Sequence, residues 1–146
     1  MLNSMNQHSS VAALFVKKDS VYKTLGVDCY DIDRDATQWL GGSPCVAHPP
    51  CRAWGLMAHL AKPRPGEKDL AFFAIDMIRK YGGVLEHPSG SQLWPTHLPV
   101  PGKVDQWRGY SICVDQSWWG HRAKKSTLLY IVGCPKRSLP EIPIRF

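Results

Sequence analysis

The sequence predicts an α/β fold, with a mostly parallel sheet that is covered by helices and carries an antiparallel pair at one edge. Three observations support this prediction. Short apolar runs typical of buried strands recur along the 146-residue chain, helix-like segments separate the first four runs, and no amphipathic helix separates the last two. The length and an apolar content of 44% indicate one domain with a single core.

Six apolar runs bounded by glycine, proline or charge are the predicted strands, at residues 11–16, 27–32, 45–48, 83–87, 110–115 and 127–133. The clearest helix is the segment "GEKDLAFFAIDMIRKYGG", in which acids come first, basic residues come last and Gly82 can end the helix. Its apolar stripe consists of Leu70, Phe73, Ala74, Met77, Ile78 and Tyr81. Residues 19–26 are predicted to form two helical turns, and residues 34–42 one or two more.

Composition limits the classes of partner. We expect residues 1–10 to be a disordered tail and residues 11–146 to be one domain whose proline-rich end runs along the surface. No apolar run reaches the ~18 residues that a membrane span needs, so we expect a soluble cytoplasmic protein without a membrane partner. Five cysteines suit reduced thiols better than a disulfide framework, and a net charge of +6 favours anionic partners. The oligomeric state stays open.

Four segments, taken in order, resemble the DNA cytosine carbon-5 methyltransferases, a family with a Rossmann-like fold that uses S-adenosylmethionine. "VDCYDIDRDA" resembles the strand whose final acid binds the cofactor ribose, and "VAHPPCRAW" resembles the strand whose Pro-Cys supplies the nucleophile. "GVLEHPSGS" resembles the Glu-Asn-Val strand, and "QSWWGHRAKKSTLLYIVG" is a looser match to the Gln-x-Arg-x-Arg segment. The resemblance covers about residues 11–133 and implies a minimal, single-domain relative.

The resemblance implies roles for the matching residues. Cys51 would be the nucleophile, and Glu86 the acid that steadies the ring nitrogen of the base. Asp31 or Asp33 would bind the ribose. The chemistry requires a thiolate that adds to carbon-6 of a pyrimidine held out of its stack, an acid beside the ring and a methyl donor. The alternative for Cys51 is an inert thiol in a turn stiffened by proline.

The segment after the first strand departs from the family. A glycine-rich turn lets the cofactor approach in the family, whereas this chain has Lys17, Lys18, Asp19 and Ser20 there. We therefore expect S-adenosylmethionine to bind weakly or not at all. His87 replaces the Asn of Glu-Asn-Val, and the large target-recognition region is missing, so DNA recognition by the family's usual route is not expected.

Two basic groups are candidates for binding the phosphates of a nucleotide or a nucleic acid. The first contains Arg122 and Lys124, which would take the Arg-x-Arg places, together with Lys125. The second contains Lys17 and Ser20 after the first strand. A solvated turn between strands is the alternative interpretation of the first group.

Further side chains near these motifs are candidates for the pocket wall. Arg52 follows Cys51 and is expected to bind phosphate and favour the thiolate. Trp54 and Trp119 could stack on a base, whereas other tryptophans belong to the core. His87 adjoins Glu86, and a hydrogen-bonded structural histidine is the alternative there.

Metal and deaminase chemistry are not predicted. Cys45, His48 and Cys51 form a C-x2-H-x2-C run, but residues three apart on an extended strand face opposite sides, so they suit a shared ion poorly. A zinc cytidine deaminase is excluded because the chain has no H-x-E motif and no C-x-x-C pair.

Two main function hypotheses follow. In the first, a crevice near residues 16, 33, 51 and 86 holds a nucleobase and transfers a methyl group to pyrimidine carbon-5 through Cys51 and Glu86. In the second, the same crevice binds or sequesters a nucleotide without chemistry, in the manner of a counter-defence protein. The altered glycine loop favours the binding hypothesis, and the retained pair of Cys51 and Glu86 favours the enzyme hypothesis.

Small proteins of tailed phages carry similar "HPPCRAWG" and "LEHP" segments, which indicates a phage or prophage origin. A purely structural or partner-binding phage protein is a weaker third hypothesis.

Overall fold

A computed structural model describes residues 11–119, 122 and 124–141, so the predicted tail at residues 1–10 lies outside the described residues. The strands are β1 (Ala12–Leu14), β2 (Asp28–Tyr30), β3 (Cys45–Ala47), β4 (Gly83–Pro88), β5 (Tyr110–Asp115) and β6 (Ser126–Val132). They form one sheet in the order β2-β1-β3-β4-β6-β5. Strands β1 to β4 pair in parallel, and β6 pairs antiparallel with both β4 and β5. The predicted mostly parallel sheet with an antiparallel edge is therefore confirmed.

Helix α1 (Leu70–Tyr81) is the predicted amphipathic helix. It follows a 3-10 turn at Glu67–Asp69 and ends at Gly82, whose φ of 83° suits glycine and whose N–H bonds to the Ile78 carbonyl. The two shorter predicted helical segments are 3-10 turns, at Val21–Leu25 and Ala36–Gln38. A four-residue helix, α2 (Leu93–Thr96), was not predicted and contains Pro95.

The main core lies between α1 and one face of the sheet. Leu14, Ala47, Leu85 and Tyr130 follow one another across the strands in register, and each is fully buried. Adjacent residues of a strand face opposite sides. A smaller cluster of Ala13, Val16 and Cys29 accordingly lies on the other face, where Tyr22 and Val27 pack against it. In the described part of the chain, a 3-10 turn rather than the expected helix packs on this second face.

The strand order creates a crevice. The chain places β2 on one side of β1 and β3 on the other, so the direction of winding reverses between β1 and β3. The loops that follow two such strands separate at their carboxyl ends and leave room for a ligand. Gly83 brings β4 close to β3, because a Cβ at this position would overlap the carbonyl oxygen of Cys45. The end of β4 therefore lies beside the crevice.

No helix of the described residues has both the length and the hydropathy that crossing a membrane requires. All five cysteines are free thiols. Cys29 and Cys45 are buried, Cys51 and Cys113 are exposed, and Cys134 is half-buried.

Candidate functional site

Two adjoining clefts open at the carboxyl ends of the parallel strands. The Cys51 cleft has a volume of about 630 Å³ and is lined by the segments after β1 and β3, the end of β4, and two residues near the β5–β6 turn. The Asp31 cleft has about 610 Å³ and is lined by the segments after β1 and β2 and by residues 64–67 before α1. The clefts share Phe15, Val16, His48 and Pro50. Each is large enough for a nucleoside or a nucleotide.

Cys51 and Glu86 line the same cleft. Because β3 and β4 are neighbouring parallel strands, the residues that follow Ala47 lie at the same edge of the sheet as the end of β4. Cys51 is exposed, and its carbonyl accepts a 2.9 Å hydrogen bond from the Trp54 N–H, which closes a tight turn. The structure thus brings together the two residues that the motif order pairs.

The Glu86 carboxylate is held from two sides. Its Oε2 lies 2.7 Å from Nδ1 of His48, and its Oε1 accepts a 2.7 Å hydrogen bond from Nε2 of Gln116. The hydrogen bond from His48 is the largest cause that holds the pKa of Glu86 below its ordinary value, burial opposes it, and the charge of Lys125 contributes in the same direction as His48. Glu86 is therefore a carboxylate at neutral pH, and His48 donates to it through Nδ1.

A hydrogen-bond network extends from this carboxylate in both directions. Nε2 of His48 lies 3.2 Å from the hydroxyl of Tyr22, and Nε2 of Gln116 lies 3.3 Å from the hydroxyl of Thr127. Burial, together with the charge of Glu86, raises the pKa of Tyr22, so the phenol stays neutral at ordinary pH. The network ties the segment after β1 to β4 and β6 and fixes the carboxylate between them.

His87 is buried beneath the cleft. It borders the cleft, but its side chain points into the core and is only 1% exposed. Its Nδ1 lies 2.7 Å from the hydroxyl of Ser91. Burial lowers the pKa of His87 to about 4, against the opposing effect of the carbonyls of Pro50 and Pro49. The imidazole is neutral at pH 7 and nearly inaccessible, which favours the alternative of a hydrogen-bonded structural histidine over a ligand contact.

Arg52 and Trp54 are both held by contacts within the protein. Arg52 donates through Nε and an Nη to the two carboxylate oxygens of Glu67, at 2.7 and 2.6 Å, and so ties the loop after β3 to the start of the helical segment. Trp54 is 4% exposed and donates Nε1 to the carbonyl of Lys68. Neither residue lines the Cys51 cleft, but Arg52 and Cys51 together border a further cavity of about 500 Å³, so a contact of Arg52 with a phosphate stays a prediction. The side chain of Trp119 lies outside the described part of the chain.

The basic residues divide between the cleft and the surface. Lys17 and Ser20 line the Cys51 cleft, and the Ser20 hydroxyl accepts a hydrogen bond from the N–H of Tyr22. Three basic residues are described in the segment directly before β6, namely Arg122, Lys124 and Lys125. Of these three, Lys125 lines the Cys51 cleft. Arg122 and Lys124 are exposed and do not line it, which favours the alternative of a solvated turn for these two residues.

Asp31 is the member of the predicted ribose pair that lies in a cleft. Its carboxylate accepts hydrogen bonds from Nζ of Lys23, at 2.7 Å, and from the backbone N–H groups of Asp33 and Arg34. The bond from Lys23 is the largest cause of the lowered pKa of Asp31. Asp33 instead forms an exposed ion pair with Lys18 at 3.0 Å and does not line the Asp31 cleft, so of the two alternatives the position favours Asp31.

Two unusual backbone conformations border the Asp31 cleft. Phe15 and Asp35 both have a φ of 59°, in the left-handed region that non-glycine residues seldom adopt. Phe15 lines both clefts, and its ring packs edge-on against Phe73. Backbone strain of this kind is concentrated at ligand sites. The hydrophobic pattern did not predict these backbone conformations. The apolar run continues beyond Leu14, whereas strand β1 ends at Leu14 and the backbone changes direction at Phe15.

The C-x2-H-x2-C run is divided between two environments. Cys45 lies in the core, where burial raises the pKa of its thiol to about 12, whereas His48 lies in the cleft. Among residues 11–119, 122 and 124–141, no three His, Cys, Asp or Glu side chains converge as a metal-binding group.

No protein-family model, curated protein or solved structure matches this chain. Its function is therefore inferred from the two clefts and from the motifs that line them.

Proposed function

We propose that this protein binds a nucleobase, carried by a nucleotide or a nucleic acid strand, in the Cys51 cleft. The observation that carries this proposal is the Glu86 carboxylate, which His48 and Gln116 hold in a cleft that two lysines also line. A fixed carboxylate offers acceptors to the polar edge of a base. The position also supports the proposal, because ligands of open α/β sheets bind where the winding reverses.

Lys17 and Lys125 are the residues that would receive the phosphates. Both line the Cys51 cleft, and the net charge of +6 adds a general attraction for anions. Lys125 is also close enough to Glu86 for its charge to help lower the pKa of the Glu86 carboxyl. One nucleotide could therefore contact the carboxylate with its base and the lysine with its phosphate. Binding without chemistry would suit a phage-encoded protein that sequesters a nucleotide in the cytoplasm of its host.

Charge reversal at Lys125 is expected to weaken nucleoside monophosphate binding by about tenfold or more, because a charge-assisted hydrogen bond is lost and a repulsion is added. Lys124→Glu is the matched control, since it changes the net charge equally at a position outside the cleft. Calorimetric titration of both variants with each of the common nucleoside monophosphates, at low and at moderate salt, measures the difference. Equal weakening in both variants would assign the effect to the overall charge of the chain. Failure of the unmodified protein to bind any nucleotide or single-stranded nucleic acid would refute the proposed function.

A second function, one-carbon transfer to pyrimidine carbon-5, is favoured by the exposed Cys51 thiol in the cleft that contains Glu86. A thiolate at this place could add to carbon-6 of a bound pyrimidine. The parallel order β2-β1-β3-β4, with its reversal between β1 and β3, supports a Rossmann-like ancestry. The lowered pKa of Glu86 argues against this function, because a carboxylate is a poor proton donor to the ring nitrogen.

The described residues fit S-adenosylmethionine poorly. Asp31 in the adjoining cleft could accept hydrogen bonds from a ribose. No glycine follows β1 before Gly26, however, and Phe15, Lys17 and Ser20 place side chains along the segment that the cofactor would have to approach closely. Methyl transfer from this cofactor is therefore the weaker proposal.

The affinity for S-adenosylmethionine is expected to be millimolar at best. Losing several close backbone contacts at ~1 kcal/mol each is enough to move a micromolar cofactor into that range. Calorimetry with the cofactor and with its demethylated product gives the two constants. A low-micromolar value for either compound would contradict this expectation and make methyl transfer the leading function.

A further inference from the structure

We infer that Glu86 makes the Cys51 cleft selective for a base with two adjacent N–H donors, which among the common nucleobases is guanine. The inference rests on the proposed nucleobase binding and names the base that this site would prefer. It concerns the base alone, so it holds for a free nucleotide and for a nucleotide within a strand.

The first step is a count of acceptor sites. An ionised carboxylate has about four lone-pair sites, two on each oxygen. His48 occupies one site on Oε2, and Gln116 occupies one on Oε1. The Glu86 side chain remains 24% exposed where it lines the cleft. On this count each oxygen has one acceptor site that neither His48 nor Gln116 uses, and both oxygens belong to one planar group.

The second step is the match to a base. Two parallel N–H groups satisfy a carboxylate in the manner of a bidentate arginine. Guanine presents such a pair, its ring N1–H and its exocyclic amino group. Neutral cytosine and adenine present one amino group beside a ring nitrogen with a lone pair, and uracil presents one N–H between two carbonyl oxygens. In those three bases the second carboxylate oxygen meets a lone pair, which is repulsive.

The third step is that the carboxylate cannot turn freely to suit another base. Gln116 is itself anchored by its 3.3 Å contact with the Thr127 hydroxyl, and His48 by its 3.2 Å contact with the Tyr22 hydroxyl. The anchors come from opposite sides, one on β6 and one in the 3-10 turn after β1. Gln116 and His48 are accordingly positioning residues, which fix the plane and the charge of Glu86.

The test compares the four common ribonucleoside monophosphates by calorimetry with the complete chain. Guanosine monophosphate is expected to bind at least about tenfold more tightly than the other three. Inosine monophosphate, which keeps the ring N–H but lacks the amino group, is expected to lose about tenfold relative to guanosine monophosphate. This comparison of ligands needs no variant and cannot be confused with misfolding.

Variants then assign the preference to Glu86. Glu86→Gln replaces an acceptor oxygen by an amino group and is expected to remove the advantage of guanosine over inosine monophosphate. Glu141→Gln, the same change at an exposed position that does not line the cleft, should leave it unchanged. Gln116→Ala is expected to reduce the ratio of the two affinities, which a general loss of stability would not change selectively, and thermal melting checks its fold.

The outcomes separate the inference from the proposed function. Equal affinity for all four nucleotides, or a preference for cytidine monophosphate, would overturn the guanine inference and leave nucleobase binding intact. A preference for guanine that survives in Glu86→Gln would overturn the assignment to Glu86. Absence of binding by every nucleotide and by single-stranded nucleic acid would overturn both.

Discussion

Between about pH 7.5 and about pH 4.5, the free energy of unfolding is expected to fall by about 2 to 3 kcal/mol through His87 alone. This side chain is 1% exposed, and burial lowers its pKa from 6.5 to about 4. As the pH falls through this interval, the imidazole of the unfolded chain takes up a proton while the native imidazole stays neutral. The unfolded state then binds more protons, so the contribution that is complete above pH 6.5 is lost as the pH approaches 4.

Replacing His87 by Gln is expected to remove most of this slope. The Gln amide can still bond to the Ser91 hydroxyl, but it does not titrate. His59→Gln is the matched control, because His59 is exposed. Urea unfolding at several pH values, followed by tryptophan fluorescence, gives the free energies. A variant with the unmodified protein's slope between the two pH limits would show that His87 is protonated in the native state.

The measurement has to stop near pH 4.5 because acids contribute below it. Hydrogen bonds lower the pKa of Glu86 and of Glu67, mainly through His48 and Arg52. A lowered acid pKa means stability that is present above the unfolded value and lost as the pH falls through the native value. These two carboxyls would add their own slope at lower pH and hide that of the histidine.

Local patterns predicted the helix and the strands well because burial is periodic. The predicted stripe of α1 contains Ala74 and Ile78, which are fully buried, and the structure adds Ala71 and Ile75 on the same side. The alanines of this face let the helix lie close to β3 and β4. The length of β1 could not be predicted, because the apolar run continues to Val16 while the backbone of Phe15 turns into the left-handed region. Hydrophobicity carries no information on the sign of φ.

Sequence motifs indicated which residues lie together where they follow the ends of neighbouring parallel strands. Cys51 after β3 and Glu86 near the end of β4 line one cleft for this reason. Gln116 is 30 positions from Glu86, and its contact depends on the β4–β6 pairing and on the turn before β6. Gln116 opens the segment that loosely matches Gln-x-Arg-x-Arg, but its contact with Glu86 was not predicted because roles were assigned only to the basic residues of that segment. The ion pair of Arg52 was not predicted for the related reason that its partner, Glu67, lies 15 positions further along the chain.

A bound nucleotide is expected to protect Cys51 from alkylation and to leave Cys113 unprotected. Both thiols are exposed, but only Cys51 lines the proposed binding cleft, whereas Cys113 lies on the edge strand β5. At a ligand concentration of about 100 times Kd, about one molecule in a hundred is free of ligand, so the rate at Cys51 should fall by up to about 100-fold. Cys45 provides an internal standard, because burial raises the pKa of its thiol to about 12 and alkylation requires unfolding.

Mass spectrometry of the alkylated peptides gives the rates at the individual cysteines. Equal rates at Cys51 with and without the tightest-binding nucleoside monophosphate would place the ligand outside this cleft, and a parallel fall at Cys113 would indicate a general effect on the protein.

The same experiment separates binding from chemistry. A sequestering protein releases its ligand when it unfolds, whereas a thiol that has added to a pyrimidine ring stays attached through a carbon–sulfur bond. An adduct of Cys51 that persists in denaturant, and is absent from Cys51→Ser, would therefore identify a nucleophile. Protection without such an adduct would identify Cys51 as part of the wall of a binding site.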